Sequence, residues 1–448
     1  MKPCTALAGA LAAAALSGCG ESTRLPPNAD VGPRPTLVAP VRTALPTMQI
    51  AKPRPWREGE MPMAAAGLQV RAFATGLDHP RWLHVLPNGD VLVAESNAPP
   101  RPDEGQGLKA WVQQLFMKRA GAGTPSANRI TLLRDADGDG VPERREVFVQ
   151  GLNSPFGMAL VGGHFYVADT DAVLRFDYVN GQARLASPPH KLTDLPAGTR
   201  NHHWTKSLIA SPGGQRLYAT VGSNSNVAEH GLAAEQGRAA IWEIDVASGA
   251  KRLFATGLRN PNGMAWMPSS AVPGASAPGM LWTVVNERDE LGSDLVPDYL
   301  TAVYDGAFYG WPYSWYGQHA DPRVQPPRPD LAARALVPDY ALGAHVAPLG
   351  LVAAGSSPVP AALPGAAPGG VFIGLHGSWN RKPPSGYKVV YVGFVDGRPQ
   401  GLPIDVLTGF LGAEGEARGR PVGVAIDRRG ALLVADDVGN TIWRVAPR

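Results

Sequence analysis

The chain has 448 residues, of which 18% are charged and 44% hydrophobic, and its net charge is +3. This composition supports a packed core and excludes a disordered polymer, and so small a charge argues against a nucleic-acid binder that works by neutralising phosphates. Gly (53) and Pro (44) are spread along the whole chain, as expected for many short strands joined by turns.

Residues 1–19 read as a lipoprotein-type signal peptide. Lys2 precedes an apolar run too short to span a bilayer, and Leu16-Ser17-Gly18-Cys19 follows it. That tetrapeptide resembles a bacterial lipobox, in which Cys19 becomes the lipidated first residue; an ordinary signal peptide is the alternative. Gly20 in place of Asp does not look like an inner-membrane retention signal, so the expected place is the periplasmic face of the cell envelope, lipid-anchored at the outer membrane. The other cysteine, Cys4, lies in the leader. The mature chain therefore has no disulfide, and without a CxxCH it carries no c-type haem. Residues 20–66 are rich in Pro, Ala and polar residues without periodicity, which predicts an extended tether.

From 67 to 448 one pattern recurs. A short strand ends in Gly-Leu, a turn with Pro follows, then a strand, a turn, and a strand ending in V-A-D/E. The clearest copies are AFATGLDHPRWLHVLPNGDVLVAES (72–96), VFVQGLNSPFGMALVGGHFYVADT (147–170), LFATGLRNPNGMAW (253–266) and RGRPVGVAIDRRGALLVADD (418–437). Two weaker copies start near His202 and Ala347, giving six units. One such sheet cannot bury both its faces alone, so radial stacking is the expected solution. The predicted fold is all-β, a six-bladed β-propeller. Its one helical insertion is the amphipathic stretch 107–121 in the first blade. The first FATGL strand follows the tether and has no blade before it, so it is expected to complete the last blade and close the ring.

The turns that lead into the innermost strands should face the central channel. They carry His79, Asn153-Ser154, His202-His203, Arg259-Asn260, His345 and Arg418-Gly419-Arg420, with His376 and the run Asn286–Glu290 nearby. Cations gathered on one axis repel each other unless an anion neutralises them, and the guanidinium fork matches carboxylates. An anionic ligand, polycarboxylate or phosphate-bearing, follows. The alternative is that these arginines pair with Asp and Glu of neighbouring blades. A histidine here suits general-base work. In NHHWTKSL, neighbours on a strand point to opposite sides, so only one of the two histidines should face the ligand.

RDADGDGVPERREVF is a separate signal. Asp135, Asp137, Asp139, Val141 and Glu146 fall at the liganding positions of an EF-hand-type calcium loop, with Gly140 at the turn. The flanks read as strands, so a calcium loop between strands is expected, with a structural role; a metal-free Asp/Gly turn is the alternative.

Taken together, NHHWTKSL, GLRNPNGMAW, VVNERDELGSDLVPDY, FYGWPYSWYGQH, HGSWNRKP and RGRPVGVA resemble the glucose/sorbosone dehydrogenase family, and most of all its L-sorbosone dehydrogenase-like branch, over about residues 67–447. The resemblance implies oxidation of a sugar or sugar-derived aldehyde with pyrroloquinoline quinone (PQQ) and Ca2+. It also implies hydride transfer, and delivery of electrons to an external acceptor such as a cytochrome or quinone. It implies His203 as general base and Arg259 as the group polarising the quinone. It places Asn260, Arg418 and Arg420 on the cofactor, and Arg288, Asp289 and Glu290 at its calcium through backbone carbonyls. His345 and His376 stand where glucose-oxidising members have an aromatic residue and a lysine, and a Gln of those members is missing near Leu152-Asn153. They are the candidates for cofactor contacts there, and glucose is not implied as the substrate. Two other classes compete: a calcium-dependent, lactonase-like propeller hydrolase, and a non-catalytic propeller that binds partners on its rim.

Overall fold

The computed structural model describes residues 21–43, 47–103, 124–267 and 279–448. The expected leader with Cys19 and the expected helix 107–121 lie outside these.

Six four-stranded antiparallel meanders follow one another along the chain. The first blade is built from Pro80–Val85, Val91–Glu95, Arg129–Arg134 and Arg144–Gln150. The second runs from Met158–Val161 to His190–Asp194, the third from Leu208–Ala210 to Lys251–Thr256. The fourth starts at Asn260–Met267 and ends at Tyr340–Ala344; the fifth starts at Pro348–Ala353 and ends at Ile404–Thr408. The sixth takes Pro421–Ile426, Leu432–Asp436 and Thr441–Pro447 from the end of the chain, and Leu68–Ala74 from near its beginning. Leu68 pairs with Pro447 and Ala72 with Trp443, so the first FATGL strand closes the ring as expected.

The period of two in the second strands explains the radial packing. Val91 and Val93 pack with Leu433 and Ala435 of the sixth blade, while Leu92 and Ala94 pack with Phe165 and Val167 of the second. Alternate side chains thus serve opposite neighbours, and the strand is buried on both faces. The same holds round the ring, where six apolar clusters occupy the six spaces between blades.

The glycine of the repeat has a packing cause as well. Gly157, Gly263, Gly350 and Gly423 sit on or just before innermost strands. A Cβ on any of them would run into the innermost strand of the next blade, at Leu208, Leu351, Val422 and Arg81–Trp82 respectively. Close approach of backbones at the narrow axis needs that missing carbon.

Residues 21–66 differ from the tether expected of them: their described part lies against the propeller. Val31–Gly32 adds a fifth strand to the fourth blade and Met63–Ala64 one to the fifth. Before and between these, Thr23 N donates to Lys382 O at 2.8 Å, Val41 N to Leu291 O at 2.9 Å, Gln49 N to Trp379 O at 2.8 Å and Arg54 N to Ala417 O at 2.8 Å. Trp56 sets its ring edge-on to Phe410 and Trp443. Proline removes backbone donors from this segment, and many of its remaining hydrogen bonds go to the strands and loops that it crosses. No described helix is long and apolar enough to cross a membrane.

Candidate active site

All six innermost strands begin at one end of the channel, and the residues singled out in the turns before them gather there. The recurring acid of V-A-D/E braces these turns. Glu95 accepts from Asp78 N, Asp169 from Asn153 N at 2.8 Å, and Asp436 from Arg420 N at 2.8 Å. The repeat therefore encodes the support of the site as well as the blade.

The cations do not wait for a ligand. They are divided between two carboxylates. Asp289 lies in the loop after Met280–Asn286 and is bonded by Arg259 Nη2 at 2.9 Å and Asn380 Nδ2 at 2.7 Å, with His345 Nδ1 at 3.5 Å. Burial alone would raise the Asp289 carboxyl. Arg259, then His345 and Asn380, overcome that and hold it well below the usual range. Burial would likewise lower His345, but its contact with Asp289 leaves it raised. Arg259 is further fixed by Glu287 O at 2.6 Å and by Asn226, whose carbonyl and side-chain oxygens take Nε and Nη2 at 3.2 and 3.1 Å.

Asp437 is the second centre. It binds Arg81 Nη1 and His376 Nε2 (2.9 Å), with His79 Nε2 at 3.6 Å. Burial pushes His376 down to about 4 in spite of this partner, and His79 also lies below its ordinary value for the same reason. Arg420 stands over the Tyr387 ring and donates to its hydroxyl at 3.2 Å. Asp437 and Asp436 both stand here beside Arg81 and Arg420, yet only Arg81 is ion-paired: the Arg420 guanidinium has no carboxylate partner among the described residues. Arg81 Nε and Arg420 Nε, both buried, have no partner among the described residues.

His203 is the side chain best arranged for proton transfer. Its Nδ1 lies 2.8 Å from Ser223 O and 3.1 Å from Ser223 Oγ. A donor at Nδ1 satisfies that carbonyl and leaves Nε2 as the lone-pair nitrogen. Burial, then His202 and Arg259, hold the imidazole well below 6.5, so it is neutral at neutral pH. Ser223 N donates to Arg259 O at 2.8 Å, which locks His203 to the strand carrying Arg259-Asn260. Gly222 lies between: a Cβ there would collide with Asn260 Oδ1 and His203 Cβ. Asn260 Oδ1 is buried without a partner among the described residues.

The remaining expected residues fall elsewhere. Arg418 is half-exposed at the rim and pairs with Glu416 at 3.2 Å. Arg288 is fully buried, bonded to Glu287 Oε2 (3.0 Å), Asp321 Oδ2 (3.0 Å) and the carbonyls of Pro312 and Ser314. Glu290 is exposed, with φ of +69°. Two carbonyls of this loop are already engaged. Glu287 O is taken by Arg259, while Asp289 O accepts from Arg323 Nη1 at 3.1 Å and Asn226 Nδ2 at 3.2 Å. A guanidinium thus donates to each of Glu287 O and Asp289 O, which disfavours a calcium at these two carbonyls.

In the 135–146 loop, Asp135, Asp137, Asp139 and Glu143 bring ligand oxygens within 4.8 Å of one another. Glu146, expected as the twelfth-position ligand, is turned away. It stands in the strand Arg144–Gln150, opposite Leu132, and pairs with Arg144 and Arg184. A strand here replaces the helix that would aim this side chain into the loop, and Glu143 takes its place. Val141 N donates to Asp139 Oδ1 at 2.7 Å and its side chain is exposed. The loop reaches across to the sixth blade, where Arg71 and Arg429 donate to the carbonyls of Asp139 and Asp137.

Sequence reasoning missed Asp437, Arg81 and Asn226. One signal was legible: the sixth blade writes V-A-D-D where the first and second write V-A-E-S and V-A-D-T.

The chain belongs to the TrAA12-like family, whose model matches residues 125–298 and 331–448. Among solved structures it is similar to the carbohydrate-active enzyme of family AA12 from Trichoderma reesei, with a TM-score of 0.66 at 20% identity over 90% of this chain and 99% of that one. It is similar to the PQQ domain of pyranose dehydrogenase from Coprinopsis cinerea, at 0.63 and 20% over 89% and 100%. The PQQ-bound aldose sugar dehydrogenase of Streptomyces coelicolor gives 0.54 and 16% over 86% and 99%. These are likenesses of fold. An uncharacterised protein of Borreliella burgdorferi is 24% identical over 318 residues, 68% of this chain and 79% of that protein.

Proposed function

We propose that the chain is a PQQ-dependent oxidoreductase that oxidises a sugar or a sugar-derived aldehyde and passes the electrons to an external acceptor, a cytochrome or a quinone. The observation that carries this reading is His203: neutral, fixed at Nδ1 by Ser223, and tied to the strand of Arg259 and Asn260. The likeness to the PQQ domain of the Coprinopsis enzyme and to the PQQ-bound Streptomyces enzyme supports the cofactor. So does Arg420, whose guanidinium has no carboxylate partner among the described residues, with the unpaired Arg81 Nε, Arg420 Nε and Asn260 Oδ1 that a polycarboxylate bearing donors would satisfy.

PQQ, when bound, supplies an electrophilic quinone that accepts a hydride. The residues supply the rest. His203 Nε2 takes the proton of the substrate hydroxyl, or of an aldehyde hydrate, and burial keeps this nitrogen unprotonated before the reaction. Arg420, Arg81 and Asn260 hold and orient the anion. Arg259 presents its charge from a fixed position because Asn226 and Glu287 O leave its fork no other rotamer to occupy. Asp289 is bonded by Arg259 and Asn380, and Asp437 by Arg81 and His376, whereas a lactonase-like hydrolase requires carboxylates that are free to hold a metal. Calcium belongs, in this reading, to the 135–143 loop, with a structural role.

Cys19 is proposed as the lipidated residue that anchors the chain at the periplasmic face of the outer membrane, on the strength of its lipobox. The test of the activity is calorimetric titration of PQQ into the protein, followed by dye-linked oxidation of a panel of sugars and aldehydes. Binding together with turnover of a panel member supports the reading; absence of PQQ binding overturns it.

A further inference from the structure

The residues that follow the lipobox are not free chain. Glu21 docks on the loop that carries Asp289: its carboxylate Oε2 accepts from Ser293 N at 2.9 Å, and its carbonyl accepts from Ser293 Oγ at 2.7 Å and Thr47 Oγ1 at 3.0 Å. A Cβ on Gly292 would come 2.8 Å from Glu21 Oε2, and Gly292 O lies 3.0 Å from His345 Nε2, itself beside Asp289. Thr23 and Arg24 continue the attachment. The Thr23 hydroxyl donates to Asp294, Arg24 N donates to its Oδ2 at 2.7 Å, and Thr23 N donates to Lys382 O in the loop that carries Asn380.

Two peptide units separate Cys19 from Glu21, a reach of about 7 Å. A lipid on Cys19 would thus attach beside the two loops that supply Asp289 and Asn380. The charge of this rim agrees with a lipid partner. Along the described residues from 21 to 52 the exposed charged side chains at this end are cationic, Arg24, Arg42 and Lys52, whereas Arg34 lies at the opposite end beside Asp339 and Arg398. The two acids of the same stretch, Glu21 and Asp30, are half-buried and buried. A basic rim next to the attachment point suits anionic headgroups.

We infer that the end of the propeller bearing the site faces the membrane, with residues 21–24, 41–43 and 47–52 at its rim as the lipid-contacting surface. This rests on the lipidation of Cys19 and is independent of the redox chemistry. No tether holds the domain at a distance, so the orientation is set by the docking of Glu21–Arg24.

The test uses the processed full chain in vesicles of phosphatidylethanolamine and phosphatidylglycerol. Lys382→Cys places a single fluorescent label on the site end. Arg428→Cys places one on the hairpin between Pro421–Ile426 and Leu432–Asp436, at the opposite end of the blade. Both positions are exposed. Nitroxide-bearing lipids should quench the label at 382 several-fold more strongly than that at 428. Equal quenching, or stronger quenching at 428, overturns the orientation. Cys19→Ser should remain in the aqueous phase; a parent chain that binds vesicles no better than Cys19→Ser overturns the inference at its root. A chain that orients as expected but oxidises no sugar would count against the proposed activity alone.

Discussion

Arg259 Nη2 donates to Asp289 Oδ2 over 2.9 Å, and the two side chains are only 4% and 19% exposed. The cation offered by the sequence is therefore already answered by a carboxylate. Asp289→Asn should leave the Arg259 charge buried and unpaired and cost about 3–5 kcal/mol in urea unfolding. It should also change the pH dependence. His345 is raised above 6.5 in the folded chain, so it contributes stability that is present below pH 6.5 and lost as pH rises through its folded value. In Asp289→Asn that decline above pH 6.5 should be flattened; an unchanged slope would show that Asp289 does not raise His345.

His203 titrates well below 6.5, so activity should persist as pH falls through 6.5 and decline only at lower pH. His203→Gln should lower turnover by about 10²–10⁴-fold while PQQ affinity is kept. Full turnover in this variant would remove His203 as the base.

The smallest change with a large expected effect is Gly222→Ala. The new methyl collides with Asn260 Oδ1 and His203 Cβ, so one of them must move. A displacement of this kind should cost about 10²-fold in turnover and about 1–3 kcal/mol in stability. Stopped-flow reduction and urea titration on the same sample separate the two effects. A variant with wild-type kinetics would mean that the strand absorbs the methyl without moving His203.

Calcium titration by calorimetry should distinguish two glutamates three residues apart. Glu143→Gln should weaken binding strongly and Glu146→Gln should leave it nearly unchanged, because only Glu143 points into the acidic loop. The reverse ranking would restore the twelfth-position assignment.

Trp56 ties the N-terminal segment to the site's support. Its Nε1 donates to Asp436 Oδ2 at 2.8 Å, and Asp436 in turn holds Arg420 N. Trp56→Ala should cost about 3 kcal/mol and weaken PQQ binding through Arg420. Loss of stability with unaltered affinity would limit Trp56 to packing.

The legible part of this protein was the part that repeats. Six copies of one strand pattern gave the ring, the closing strand at Leu68–Ala74, and the turns where His203, Arg259 and Arg420 stand. What could not be read lies in pairings without sequence spacing. Arg81 and Asp437 are 356 residues apart, and no period links them. The Pro-rich segment 21–66 looked free because its partners are loops of three different blades. Glu146 fits the calcium spacing, but the ladder that pairs it with Leu132 decides where it points.

Closure of the ring by Leu68–Ala74 against Thr441–Pro447 sets a rule for biosynthesis. While the chain is emerging from the ribosome, the sixth sheet lacks three of its four strands until the last residues are made. The longest-range contacts of the fold form last, against the loop entropy of the whole domain. Translation alone cannot complete the domain from its first blade onward. A chain with this order of assembly stays open until its last strands are made, and locks only when both ends of the domain meet.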